Sequence, residues 1–315
     1  MTVIPLPRPG GAVPLVAATD RFLDRFRDAP ATAAAYAETL ARLRAVAGDH
    51  LGVGELTAEH YQATMERWAT AAPATFNKHL AGLRSFAAYA RRQEWLTTDP
   101  ARRLERRKVT RVRDKAIPRA RLDRLFTDNR HQLRERVLWR MLYETCARAD
   151  EILGLDAPDL DMEFRRALVV EKGGNRAYVH WETPTARLLP RLLAGRTTGP
   201  VFLADRRAPT SGYRAQAPAD VDPATGRGRL SYPRAEYLFK QATIAYDPRG
   251  LGYTLHQLRH SGLTHLAGRG RSAAELQAKS RHRHLATLGI YVQLGEETSA
   301  RITAENDGAN RRHRT

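Results

Sequence analysis

A strongly basic segment without an apolar stripe divides this chain into two parts. It follows Asp99-Pro100 and is opposed by only two acids, Glu105 and Asp114. A segment of this kind cannot bury an apolar face, so it is expected to connect two folded units. We therefore expect a helical unit over residues 14–101, an extended linker over 102–116 and a second domain over 117–315. The cations of the segment are Arg102, Arg103, Arg106, Arg107, Lys108, Arg111, Arg113 and Lys115.

The charge of the chain is concentrated in its second part. Lys and Arg number 52 against 34 Asp and Glu over 315 residues, a formal net charge of +18. Residues 1–100 carry a net charge of +1 and residues 101–315 carry +17. A genome-wide preference for arginine would spread more evenly, so the asymmetry favours a polyanionic partner, whose counterions such cations release. Nucleic acid is therefore the expected partner, and the arginines and Lys108 of the basic segment are expected to lie along its phosphate backbone. The alternative is a solvated segment that binds nothing.

Other classes of protein are disfavoured by composition. Cys146 is the single cysteine, which rules out an intramolecular disulfide and a thiolate zinc site. Apolar runs fall short of the roughly 20 residues that a membrane span needs, and residues 1–14 lack the order of a secretory signal. We therefore expect a cytoplasmic, nucleoid-associated bacterial protein without a membrane partner.

The first unit is predicted to contain four helices. Apolar residues recur there at helical spacing, with Thr32 and Thr57 as expected N-caps and Gly48 and Pro73 as expected ends. Their aromatic members are interpreted as core residues rather than base-stacking residues. The stripes are Phe22 and Phe26; Tyr36, Leu40, Leu43 and Val46; Tyr61, Met65 and Trp68; and Leu80, Leu83 and Phe86.

The second domain is predicted to mix helices with a small sheet. Helices are expected near Leu122 and Leu133, and later over residues 184–194, 233–245, 254–267 and 272–279. Two short strands, 167–170 and 177–181, are separated by a Gly-Gly turn. The Pro-, Gly- and Arg-rich segment 205–229 is long for a loop in a compact domain and is interpreted as a mobile insertion.

Six polar residues follow one another in an order that suggests a single site. Arg148 begins a helix, and Lys172 lies at the tip of the predicted hairpin. His256 and Arg259 are three residues apart and therefore share a helix face. His282 follows, and Tyr291 comes nine residues later.

This order resembles the tyrosine recombinase (phage integrase) family, in particular the two-domain integrases of bacterial mobile elements. The family pattern is Arg…Lys…His-x-x-Arg…His/Trp…Tyr, and all six positions are filled here. The resemblance implies a mainly α fold with a small β-sheet: a four-helix, SAM-like core-binding domain and an α+β catalytic domain that form a C-shaped clamp on DNA. Two departures are Cys146, where the family usually has Gly, and Ser280-Arg281, where it often has Leu-Gly.

The residue types fit cleavage of a phosphodiester without a metal. Tyr291 can attack phosphorus and hold it as an ester, and two guanidinium groups, Arg148 and Arg259, can stabilise the extra charge of the transition state. His256 can relay a proton, and His282 can donate a hydrogen bond to a phosphate oxygen. The resemblance further implies that Lys172 protonates the leaving 5′-oxygen.

Two remaining site assignments concern Glu151 and Arg281. The resemblance implies that Glu151 orients the site and offsets its positive charge. Arg281 adds a cation that could alter the chemistry or contact the DNA. We expect no cofactor and no metal.

The resemblance implies a complete reaction and its partners. Tyr291 would form a 3′-phosphotyrosyl link, and strands would be exchanged through a Holliday junction. The partners would be double-stranded DNA with specific recombination sites, further copies of this chain as a dimer and tetramer, and an accessory directionality factor. The tail, residues 296–315, is expected to pack on a neighbouring protomer.

Alternatives stay open at this point. A type IB topoisomerase or a telomere resolvase uses similar residues but relaxes or resolves DNA rather than exchanging strands between duplexes. A DNA-binding regulator with a silent site would form no covalent complex.

Single residues of the pattern also have simpler interpretations. Taken alone, Lys172 is consistent with an ordinary exposed lysine of a hairpin, and Tyr291 is consistent with an aromatic residue that covers the core from a helix face. His256 and His260 have the spacing of zinc ligands but lack further ligands, and a two-metal nuclease would need clustered carboxylates.

Overall fold

The computed structural model describes residues 13–109, 116–171, 174–209, 211–212, 215–282 and 303. The chain forms two compact units, which divide between Arg111 and Val112. Within the described residues, every helix is too short or too polar to cross a bilayer.

The first unit is helical, as predicted. Most residues of its aromatic and aliphatic stripes are buried: Phe22, Tyr61 and Phe86 are 0% exposed, and Phe26 and Tyr36 are partly buried against the same core. The interpretation of these aromatics as core residues is therefore confirmed. The helices are α1 (Leu15–Asp24), α2 (Pro30–Ala47), α3 (Ala58–Glu66) and α4 (Pro73–Arg92).

Two of the four predicted helix boundaries are confirmed and two are wrong. Thr57 caps α3, and Gly48 ends α2 with a positive φ of 91°. Thr32 lies inside α2, which already begins at Pro30. Pro73 begins α4 instead of ending the preceding stripe, because a proline at the first helical position loses no hydrogen bond.

The basic segment packs against the helical unit over its first half. A 3₁₀ turn, Pro100–Arg103, buries Ala101 completely. The backbone of Arg107 is then held at both ends by Asn77, which accepts from its N–H and donates to its carbonyl, both at 2.8 Å. The Arg107 guanidinium lies 3.8 Å from the centre of the Phe76 ring. Residues 102–109 thus belong to the first unit rather than to an extended linker; Arg111 and Arg113 lie outside the described residues.

The second unit surrounds α6 with helices and two small sheets. Trp139 of α6 is fully buried, 5.4 Å from Phe239 of α9 between ring centres. The predicted fold class, mainly α with a small β-sheet, is confirmed. The helices are α5 (Arg119–Thr127), α6 (Leu133–Thr145), α7 (Ala149–Leu153), α8 (Thr183–Leu193), α9 (Tyr232–Thr243), α10 (Leu255–Gly268) and α11 (Ala273–Ser280).

The strands form two antiparallel sheets. In the three-stranded sheet β1 pairs with β2 and β2 with β3, where Leu168 lies opposite Tyr178. The second sheet pairs β4 with β5. The strands are β1 (Leu160–Asp161), β2 (Arg166–Val170), β3 (Arg176–His180), β4 (Leu203–Arg207) and β5 (Arg227–Arg229).

The predicted insertion 205–229 contains regular structure, so its interpretation as a mobile loop needs correction. Its two ends are the paired strands β4 and β5. Arg229 of β5 donates to the carboxylates of Asp156 at 2.7 Å and Asp220 at 2.6 Å, and to the carbonyls of Leu153 and Leu155. Because Leu153 is the last residue of α7 and Leu155 lies just beyond it, the second sheet is tied to the helix that Arg148 precedes.

Close contact between α6 and α10 predicts a steric requirement for glycine at position 262. A Cβ added to Gly262 would lie 2.5 Å from the Tyr143 carbonyl oxygen and 2.7 Å from Cys146 Sγ. We expect Gly262→Ala to destabilise the protein by about 2 kcal/mol or more, as overpacking does. Gly268→Ala is the matched control, since nothing lies within 4 Å of its added methyl. Urea unfolding of both variants measures the difference; equal midpoints would contradict the packing.

A buried histidine in the first unit predicts pH-dependent stability. His79 is 2% exposed, stacks on Trp68 at 3.7 Å and shares a 2.8 Å hydrogen bond with Thr39. Burial lowers its pKa, so the unfolded chain takes up this proton before the folded one. Stability is then complete above about pH 6.5, the pKa of an unperturbed histidine, and falls as the pH drops below it. Thermal unfolding measured from pH 8 to 5 should show this loss of stability, and His79→Gln should lose less stability over the same range. The same pH dependence in the variant as in the wild type would contradict the prediction.

Candidate active site

A sharp turn at the end of α6 places Arg148 at the start of α7. Cys146 ends α6 in the left-handed conformation, with φ of 52°, which explains why a glycine would also suit this position. Arg148 follows as the N-cap residue of α7. Burial raises the pKa of the Cys146 thiol to about 11, so it is no nucleophile at neutral pH.

Glu151 fixes Arg148. Its carboxylate accepts from the Arg148 backbone N–H at 2.9 Å and from Nη1 of the same residue at 2.7 Å. Burial would raise the pKa of Glu151, but this backbone hydrogen bond and the charge of Arg281 hold it below its ordinary value. The Arg148 side chain stays 38% exposed while that of Glu151 is only 3% exposed. Glu151 therefore holds one edge of the Arg148 guanidinium group, and the rest of the side chain is partly exposed to solvent.

Arg259 is buried in α10 and bridges two other segments. Its Nη1 donates to the Cys146 carbonyl at 2.6 Å, and its Nη2 donates to the Ser280 carbonyl at 2.8 Å. Burial and the nearby charge of Arg148 lower its pKa to about 10, so it is still charged at neutral pH. Two cations thus lie close together, as an anion site requires.

His282 lies against Arg259. Its Nε2 is 3.4 Å from Arg259 Nη2, and its Nδ1 is 2.6 Å from the Ser280 hydroxyl. Burial, followed by the charges of Arg259, Arg148, His256 and Arg281, lowers its pKa to about 4. The imidazole is therefore neutral at pH 7, and any help it gives to a phosphate comes from hydrogen bonding and not from charge.

Four of the six predicted residues therefore lie close together. Arg148, Arg259 and His256 all act electrostatically on His282. His256 is exposed near the start of α10, whereas Arg259 is buried. Lys172 and Tyr291 lie outside the described residues.

Arg281, a predicted DNA contact, is engaged with two carboxylates of the catalytic unit. Its guanidinium forms ion pairs with Glu151 and, at 3.2 Å, with Glu171, and its side chain is only 10% exposed. Its backbone is left-handed, with φ of 56°, where glycine would be favoured. Of the basic segment, Arg102, Arg103, Arg106 and Lys108 remain exposed, whereas Arg107 is engaged within the first unit.

Sequence reasoning missed three residues that shape the pocket. Ser280 contacts both Arg259 and His282, Gln277 donates to the His282 carbonyl at 2.9 Å, and Glu171 pairs with Arg281. Glu171 stands directly before Lys172, which is the one signal that could have pointed to it. Nothing local in the sequence indicates the other contacts.

Chemically, this pocket can bind and polarise a phosphate. Two guanidinium groups and a neutral imidazole lie close together in it, and a buried carboxylate fixes one of the guanidinium groups. Such preorganised donors stabilise charge that develops on phosphate oxygens in a transition state.

The fold of this chain is similar to those of solved integrases. A Tn1549 transposon integrase in complex with a circular intermediate DNA superposes with a TM-score of 0.69 at 13% identity, covering 93% of this chain and 99% of that one. A lambda integrase dimer bound to a COC′ core site gives a TM-score of 0.65 at 15% identity, covering 90% and 78%. At these identities the likeness concerns the fold alone.

Sequence comparisons identify the family. Tyrosine recombinase XerC of Mycobacterium sp. (strain KMS) is 29% identical over 273 residues, covering 82% of this chain and 85% of the relative. Tyrosine recombinase XerD of Caulobacter vibrioides is 27% identical over 235 residues, covering 73% and 74%. The model of the phage integrase family matches residues 117–298. The chain therefore belongs to the phage integrase family, the tyrosine recombinases.

Proposed function

We propose that this protein is a site-specific DNA recombinase that cleaves and rejoins strands through a 3′-phosphotyrosyl intermediate at Tyr291. The observation that carries the proposal is the convergence of Arg148, Arg259 and His282 on one pocket, where a buried Glu151 fixes the first arginine. Family membership supports the same activity.

In the proposed cleavage step, side chains alone supply the attacking oxygen and transfer both protons, and no metal is needed. The Tyr291 oxygen bonds to phosphorus as the bond between phosphorus and the 5′-oxygen breaks. The phenolic proton passes to His256, and Lys172 gives a proton to the leaving 5′-oxygen. Rejoining is the reverse: a 5′-hydroxyl of the partner duplex attacks the phosphotyrosyl ester and releases the phenol.

The two arginines stabilise the transition state in this proposal. The pentacoordinate phosphorus carries one more negative charge than the diester, and guanidinium groups are the side chains best suited to offset it. Arg259 cannot move away, because the Cys146 and Ser280 carbonyls hold it. This cation is therefore already oriented in the folded protein, so DNA binding does not have to spend free energy on orienting it.

Duplex DNA carrying specific recombination sites is the proposed partner. The net charge of +17 over residues 101–315 and the exposed Arg102, Arg106 and Lys108 suit a phosphate backbone. The similar integrase structures contain DNA, and one of them is a dimer. We further propose assembly to a tetramer on two sites, an accessory directionality factor, and a mobile element as the genetic context.

The nucleophile assignment predicts that Tyr291→Phe loses covalent chemistry alone. On a nicked suicide substrate, wild-type protein should accumulate a covalent protein–DNA adduct, and the variant should form none, because it lacks the attacking oxygen. DNA binding in a gel-shift assay should stay within threefold, since a single hydroxyl adds little to a phosphate interface. Denaturing gels read the adduct; one that persists in Tyr291→Phe would show that another residue attacks. Relaxation of supercoils without strand exchange between duplexes would favour a topoisomerase instead.

The neutral state of His282 predicts that a neutral N–H donor can replace it. We expect His282→Trp to retain cleavage within about tenfold, because indole keeps a ring N–H without charge. His282→Phe, matched in size and apolar character but without a donor, should lose about 10²-fold or more, as removal of one transition-state donor does. Single-turnover cleavage rates at pH 7.5 measure both. Equal losses would show that His282 contributes something other than this hydrogen bond.

A further inference from the structure

One asparagine of α4 holds the backbone of the basic segment. The side-chain oxygen of Asn77 accepts from the Arg107 N–H, and its amide donates to the Arg107 carbonyl, both at 2.8 Å. Within the described part of the chain, these two are the hydrogen bonds that the backbone makes between residues 105 and 109. The pair of bonds needs a short side chain that donates and accepts at once, which asparagine provides. The path of the segment at this point therefore depends on Asn77.

The Arg107 side chain is attached to the same part of the first unit. Its guanidinium lies 3.8 Å from the centre of the Phe76 ring and donates to the Ala71 carbonyl at 3.3 Å. Arg107 is partly buried, whereas its two neighbours, Arg106 and Lys108, are exposed. Attachment of residue 107 through backbone and side chain thus leaves the flanking cations in contact with solvent.

These flanking cations have no acidic partner between the described residues. Neither Arg106 nor Lys108 forms an ion pair there, and the exposed Glu105 beside them pairs with neither. Arg103 of the same segment differs, because it pairs with Glu59 of α3 at 3.3 Å. An unpaired cation keeps its full attraction for a phosphate and releases a counterion when the phosphate binds. Arg106 and Lys108 are therefore the cations of this stretch best suited to a phosphate backbone.

A free basic segment would lose conformational entropy when DNA ordered it, and this loss would weaken binding. We propose that Asn77 is a positioning residue for DNA binding: by holding the Arg107 backbone on α4, it presents Arg106 and Lys108 as a preformed pair of phosphate contacts. This inference rests on the proposed function, because its partner is duplex DNA. Asn77 acts through the two cations and does not itself contact the phosphate.

The experiment measures the affinity for a fluorescein-labelled duplex of arbitrary sequence by fluorescence anisotropy, between about 50 and 200 mM NaCl. Each phosphate contact contributes about 0.9 to the slope of log affinity against log salt concentration. We expect the double variant Arg106→Gln, Lys108→Gln to lower this slope by about two. Asn77→Leu keeps the shape of the side chain without its hydrogen bonds. It should weaken binding about five- to twentyfold while the slope stays within about 0.5 of wild type, because both cations still reach phosphates in the complex.

A triple variant separates positioning from a general effect on the fold. If Asn77 acts through the two cations, Asn77→Leu should change the affinity less than twofold once both cations are glutamine. Thr75→Ala, which changes an exposed side chain of the same helix, is the matched control and should bind like wild type. Thermal unfolding shows whether each variant folds. Because Arg106 and Lys108 are exposed, their substitution tests the proposal even if Asn77→Leu fails to fold.

The outcomes distinguish this inference from the proposed function. An unchanged salt slope after loss of both cations, or an equal effect of Asn77→Leu with and without them, would overturn the inference. A wild-type protein that binds no duplex, or that binds it and forms no covalent adduct with the nicked suicide substrate, would instead overturn the proposed function.

Discussion

The burial of one guanidinium group organises the catalytic unit. Arg259 is 2% exposed, and its hydrogen bonds to the Cys146 and Ser280 carbonyls connect α10 with the ends of α6 and α11. A buried cation is costly unless its donors are satisfied, so these two backbone carbonyls must stay where they are. The site residues that follow those carbonyls, Arg148 and His282, are thereby fixed relative to Arg259. A single side chain thus sets the geometry of the pocket.

The same requirement accounts for two unusual backbone conformations. Cys146 and Arg281 both adopt positive φ values, of 52° and 56°, directly beside the segments that Arg259 holds. Each ends a helix in a sharp turn, α6 in one case and α11 in the other. Glycine would be the default residue at both turns. This explains in physical terms why the departures from the family pattern at these positions do not disturb the fold: the conformation is kept, and only the side chain differs.

The sequence predicts what is local and repetitive. The helices of both units and the β2–β3 hairpin follow from periodicity, since burial of one face repeats every 3.6 or two residues. Strands β4 and β5 are missed because a segment rich in Pro, Gly and Arg carries no alternation, and Arg229 stabilises it through contacts to residues more than 70 positions earlier. The basic segment is misjudged for a related reason: Asn77, 30 residues upstream, holds Arg107. Arg281 could not be assigned from the sequence either, because its partner Glu151 is 130 residues away.

The balance of charge in the pocket shows why so many arginines coexist there. Arg148, Arg259 and Arg281 lie near one another, and each lowers the pKa of His282. Two glutamates offset part of this positive charge: the buried Glu151 pairs with both Arg148 and Arg281, and the partly buried Glu171 pairs with Arg281. The cluster of five side chains keeps a net charge of +1, which a phosphodiester would neutralise. With fewer acids, the guanidinium groups would repel one another before DNA bound, and with more acids the cluster would repel the phosphate. The carboxylates are therefore as necessary to anion binding as the guanidinium groups.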